Sequence, residues 1–167
     1  MGQLPTFLFD VKDGFVNRVI RKVFPNYFTS KYEEMLSNTN APQNREGQYL
    51  SKRSDEFLES RNYSLNGWVQ LSSGNVWLAP RQFTIFVGDF HLKEGVSFED
   101  LLKDLRKLAR NWGKVQLKFV TNVPHEYEAI RESGHYEKNR DLAIMVHQIN
   151  QSISPLYFFN FADLDTF

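Results

Sequence analysis

Asp89 and His91 are the side chains in this sequence best matched to acid–base chemistry. They lie near the end of Gln82–Leu92 (QFTIFVGDFHL), a run rich in β-branched and aromatic residues that predicts a long strand. Along a strand, positions i and i+2 share a face, so the carboxylate and the imidazole face the same way. Such a pair can act as general base toward an amine nucleophile. Its structural alternative is a surface pair, or a histidine bonded to a neighbouring loop. Glu94 is a second candidate base, with a solvated loop charge as its alternative. Directly after the run, Lys93–Ser97 (KEGVS) leads into a leucine-rich helix. Free N–H groups at a helix start, preceded by a loop in which Gly95 permits close approach, can cradle an anion. Lys93, Glu94, Gly95, Val96, Ser97 and Phe98 are therefore candidate anion-binding residues.

Other constellations are weaker. The four histidines, His91, His125, His135 and His147, show no metal-ligand spacing, so no metal is expected. Asp89, Gln116 and Lys118 resemble a nuclease constellation only loosely, because Gln116 lowers the carboxylate count needed to hold Mg²⁺. Lys103, Arg106, Lys107 and Arg110 follow helical spacing but alternate with Glu99, Asp100 and Asp104, the pattern of a solvated face.

The elements that must position these residues can be read from periodicity. Thr6–Val11 predicts a short strand ended by Asp13-Gly14. Phe15, Val16, Val19, Ile20, Val23 and Phe24 form one apolar stripe of a helix stopped by Pro25, and the stripe is expected to face inward. Short helices are expected over Ser30–Ser37 and Leu50–Asn62, separated by the polar loop Ser37–Gly47. Gly67–Ser72 and Asn75–Ala79 flank a Ser73-Gly74 hairpin signal. Gly88 inside the following strand predicts a bulge or a close approach. Ser97 with Asp100 forms a capping box for a helix carrying Phe98, Leu101, Leu102, Leu105, Leu108, Ala109 and Trp112 on one face, with Gly113 as a left-handed cap. Lys114–Thr121 predicts a strand, Pro124–Ser133 a helix closed by Gly134, and Asp141–Ile149 and Pro155–Phe161 two further strands. The aromatic Pro155–Phe161 run (PLYFFNF) is expected to be an inner strand of a mixed sheet.

Composition narrows the function classes. The 167 residues fit one domain with a single core. Twenty basic against 20 acidic residues give no net charge, which argues against a general nucleic-acid binder. The absence of cysteine excludes disulfides, Cys-ligated zinc and a thiol nucleophile, and fits a reducing, cytoplasmic setting. No apolar run approaches a membrane span, and Met1–Asp10 lacks the basic start of a signal peptide, so no membrane partner is expected. Fifteen Phe, seven Tyr and three Trp imply a well-filled core or aromatics covered by a partner.

The order helices, β–β–β, α, β, α, β–β predicts an α/β (α+β) fold with a mixed, mostly antiparallel sheet. Over Gly67–Phe161 it resembles the GNAT acyltransferase superfamily. The resemblance is carried by the strand Gln82–Leu92 followed by the Lys93–Ser97 loop and the leucine-rich helix, by Asn122 with Gly134-His135-Tyr136 twelve residues on, and by the closing strand pair. It implies that the loop and helix start hold the diphosphate of acetyl-CoA or a related acyl-CoA, with Asn122 part of the cofactor site. The departures are specific. Leu92 stands where the family's loop has Arg or Gln, and Glu94 adds negative charge. Ile130 replaces the tyrosine that in many members protonates the departing thiolate, leaving Tyr127, about one turn earlier, for that role.

Two functions follow as expectations. The first is an acyl-CoA-dependent N-acetyltransferase-like protein with an unorthodox cofactor site, using Asp89 or His91 as base, Tyr127 as acid and an amine as substrate. The second is a non-catalytic protein of the same fold that binds a protein partner or itself as a homo-oligomer. The resemblance extends to degenerate phage proteins that act as inhibitors or assembly factors.

Overall fold

The computed structural model describes residues 2–12, 14–24, 66–134, 136–138 and 142–144. Eight strands and three helices fall within them: β1 (Gly2–Leu4), β2 (Thr6–Asp10), α1 (Phe15–Val23), β3 (Gly67–Gln70), β4 (Gly74–Pro80), β5 (Thr84–Leu92), α2 (Phe98–Asn111), β6 (Gln116–Val120), α3 (Pro124–Ser133), β7 (Glu137–Lys138) and β8 (Leu142–Ile144). Six strands form one sheet in the order β3-β4-β5-β6-β2-β7, and β1 pairs with β8 in a two-stranded sheet. Every pairing is antiparallel except β5 with β6, which α2 connects. The fold is thus mixed α/β with a mostly antiparallel sheet, as the element order predicts. The helices expected at Ser30–Ser37 and Leu50–Asn62, the Ser37–Gly47 loop and the Pro155–Phe161 strand lie outside the described residues.

Strict alternation divides the strands between two apolar clusters. On the helix side, Phe7, Phe9, Val69, Val76, Leu78, Ile85, Val87, Leu117 and Phe119 pack with the buried stripe of α2 and with Ile130 of α3. On the opposite side, Trp68, Trp77, Ala79 and Val120 form a second cluster with Leu4, and Phe86 packs against it. The place beside β6 is held by the N-terminal strand β2, whose Phe7 and Phe9 stand opposite Phe119 and Leu117. Its identity cannot be read locally, because TFLFD is an unremarkable strand until a long-range partner chooses it.

Two boundaries and one helix facing correct the sequence expectation. The first hairpin turns on Ser72-Ser73, one residue earlier than predicted, with the Leu71 N–H donating to the Gly74 carbonyl at 2.7 Å. Gly74 instead opens β4, where a Cβ would lie 2.1 Å from the His91 carbonyl oxygen. Gln82 and Phe83 are not strand but the tip of the β4–β5 hairpin, closed by the Arg81 N–H on the Thr84 carbonyl at 2.8 Å. The third correction concerns α1. The helix forms where the stripe predicts it, yet Phe15, Val16, Val19 and Val23 are 44–79% exposed. Its polar side chains make the attachment: Asn17 Nδ2 donates to the Arg110 carbonyl at 2.9 Å and the Arg21 guanidinium to the Gly113 carbonyl. Both acceptors lie at the C-terminal end of α2, where orphan carbonyls and the helix dipole favour donors and cations.

Candidate functional site

The bulge predicted at Gly88 decides where the acid–base pair points. Leu78 stands opposite Val87 while Trp77 stands opposite Asp89, so Gly88 is the extra residue on β5. An inserted residue shifts the alternation by one. Phe90 is thereby kept in the helix-side cluster, and Asp89 and His91 turn to the tryptophan side. Asp89 is 3% exposed. Its Oδ2 lies 3.8 Å from His91 Nε2, and the imidazole, 25% exposed, rests against Trp68 with ring centroids 5.4 Å apart. The buried carboxylate thus sits at ion-pair range of the half-buried imidazole, beyond the hydrogen-bond distance that would fix the ring as a general base.

Parallel pairing of β5 with β6 runs from Thr84–Gln116 to Val87–Phe119 and stops there, while β5 continues to Leu92. Asp89 and His91 therefore lie beyond the paired stretch, at the C-terminal end of the two parallel strands, a common place for ligands in such sheets. Asn122, half-buried, follows β6 at the same end. Tyr127 does not join Asp89 and His91: it packs on the helix side, edge-on to Phe7 at 5.6 Å. The expected trio of catalytic residues is thus divided between the two faces of the sheet.

The Lys93–Phe98 segment has the backbone of an anion cradle and the charge of its opposite. Lys93 to Val96 form a tight turn, the Val96 N–H donating to the Lys93 carbonyl at 3.1 Å, with Gly95 at φ +75° as the third turn position. Nothing lies within 4 Å of where a Gly95 Cβ would be, so the glycine serves the turn's backbone rather than close packing. Asp100, however, already occupies the helix start. The Ser97 hydroxyl accepts from the Asp100 N–H at 3.2 Å, and the Asp100 carboxylate accepts from the Ser97 N–H at 3.4 Å. The Ser97 hydroxyl, and then the Lys103 ammonium, hold the Asp100 carboxyl down at about 2. Glu94 and Glu99 add two further negative charges.

The lysine that could have countered them is engaged elsewhere. Lys93 Nζ donates to the Ser72 carbonyl at 2.9 Å and to that of Leu71 at 3.3 Å. Asp104 grips the same turn from α2, accepting from the Ser72 hydroxyl at 2.6 Å and the Ser73 N–H at 3.0 Å. The Ser72 hydrogen bond holds the Asp104 carboxyl below its ordinary range. Lys93 and Asp104 thus clamp the β3–β4 turn onto the start of α2, a role that sequence reasoning did not assign to either.

A second residue missed in the sequence is Glu126 in the first turn of α3. It is 1% exposed and accepts from the Thr121 hydroxyl at 2.6 Å, which itself accepts from the Val123 N–H at 3.0 Å. The only local signal was a carboxylate just after Pro124, where helix starts favour acids. Of the loose nuclease constellation, Lys118 lies 5.1 Å over the Phe86 ring, a cation–π contact. Among the described residues no group of three or more His, Asp or Glu side chains could hold a metal ion, and no helix is long and apolar enough to cross a membrane. No family model, curated protein or solved structure matches the chain.

Proposed function

We propose that this chain is a non-catalytic protein of GNAT-like fold, built to bind another macromolecule rather than to transfer an acyl group. The observation that carries the proposal is the charge of the α2 N-terminus. A diphosphate placed there would meet Asp100 in the capping box with Glu94 and Glu99 beside it, while Lys93 is turned onto the β3–β4 turn. Like charges at such distances raise the cost of binding by more than the few exposed N–H groups return. The division of Asp89 and His91 from Tyr127 across the sheet supports the same reading.

The place of Asp89 and His91, just past the paired stretch at the C-terminal end of the parallel strands β5 and β6, favours the second reading, an acyl-CoA-dependent N-acyltransferase with that pair as its base. An acyl-transfer assay with acetyl-CoA and a panel of amines separates the two. The non-catalytic reading expects no turnover above the uncatalysed rate and no difference between wild type and His91→Ala. Turnover that His91→Ala lowers by about a hundredfold, the usual scale for a lost general base, would establish the acyltransferase instead.

A further inference from the structure

The six large hydrophobic side chains that the described residues leave exposed are Phe15, Val16, Val19, Val23, Phe24 and Phe83. All belong to two neighbouring features, α1 with its C-cap and the tip of the β4–β5 hairpin. Both are fastened to the same short segment: Asn17 and Arg21 to the carbonyls of Arg110 and Gly113, and Phe83 through its carbonyl, which accepts from the Val115 N–H at 2.9 Å. Lys114 Nζ ties the segment to the hairpin through the Arg81 carbonyl at 2.6 Å. The helix is therefore held by its polar side with its apolar side outward. Its sequence, FVNRVIRKV, carries Arg18, Arg21 and Lys22 and no acid.

We infer that this end of the molecule docks on the surface of an anionic lipid bilayer. A helix whose outward apolar stripe is edged by Lys22, and whose sequence is basic with no acid, can lay Phe15, Val16, Val19 and Val23 among acyl chains while its net positive charge is drawn to phosphate headgroups, and Phe83 on a hairpin tip adds a second point of insertion. Nothing about such docking needs a membrane-spanning helix. A second copy fits less well. Joining like ends would set Arg18 and Lys22 against one another, and the acidic start of α2 in another copy carries none of these exposed apolar side chains to receive the stripe. The inference rests on the end of the molecule opposite the candidate anion cradle and stands whether or not acyl-CoA binds there.

Co-sedimentation of the full chain with vesicles tests it. Vesicles of phosphatidylcholine containing phosphatidylserine should pellet the protein, and pure phosphatidylcholine should pellet at least about tenfold less, given roughly a factor of five per basic residue near an anionic surface. The double substitution Val16→Asp with Val19→Asp should reduce binding by at least about tenfold, because apolar burial and electrostatic attraction act together. Both side chains are exposed, so the variant's melting temperature should match wild type. Failure of wild type to bind either vesicle would overturn the inference, as would undiminished binding by the folded double variant. A stable dimer in sedimentation equilibrium that the double variant abolishes would overturn it in favour of a second copy.

Discussion

A single carbonyl shows how closely the acid–base pair depends on its neighbours. The Gly74 Cα faces the His91 backbone so tightly that a Cβ would sit 2.1 Å from the His91 oxygen and 3.0 Å from Leu92 Cα. Both obstacles are main chain, so β4 and β5 must separate to admit even alanine. Gly74→Ala should cost more than about 2 kcal/mol, the range of substitutions that force backbone apart, and a urea unfolding midpoint will show it. Lys114 makes a second prediction at this scale. Burial, and then the charge of Arg21, push its ammonium down to about 8 from its ordinary 10.5. The unfolded chain then binds this proton more tightly than the folded one, so this residue's contribution makes stability rise as pH increases from about 8 to 10.5. Chemical unfolding across that range should show the rise, and Lys114→Met should flatten it.

Among the elements, α2 is the one whose every boundary is local. Ser97 and Asp100 close the capping box, and Gly113 at φ +66° lets the Lys114 N–H reach the Ala109 carbonyl at 2.8 Å and the Gly113 N–H that of Arg110 at 3.1 Å. These are the two bonds of a Schellman end. Ser97→Ala should cost about 1 kcal/mol of stability, read from thermal or urea unfolding. Asp100 and Asp104 both have depressed carboxyls in the fold, so the stability they contribute is complete above the ordinary value of 3.8 and is lost as pH falls below it, for Asp100 through about 2. An acid titration of stability should show this loss, and Ser97→Ala, which removes the largest cause of the Asp100 shift, should make it smaller.

The same contrast explains what the sequence made legible. Caps, the Gly88 bulge, Gly134 as a left-handed helix end and the facing of Asp89 with His91 depend on residues a few positions apart, and all four are found. The clamp of Lys93 and Asp104 on Ser72 and Ser73 spans 21 to 32 positions and leaves no local signal. The facing of α1 was likewise misread, since an apolar stripe states which residues are alike but not which side of the helix the protein takes.

At the scale of the whole molecule, a net charge of zero hides a separation of charge. The start of α2 gathers Glu94, Glu99, Asp100 and Asp104, whereas α1 carries only basic charge beside its apolar stripe. The sheet is mixed, with one parallel pair, and the start of the helix that follows β5, where the acyltransferase reading would rest a diphosphate, is acidic. The acidity of that helix start makes one measurement decisive. Acetyl-CoA titrated into the full chain by calorimetry, with a melting curve recorded alongside, should give neither saturable heat nor a rise in melting temperature at millimolar ligand. Saturable binding at micromolar concentration, with the stabilisation of about 2.7 kcal/mol that a hundredfold excess over Kd brings, would contradict it.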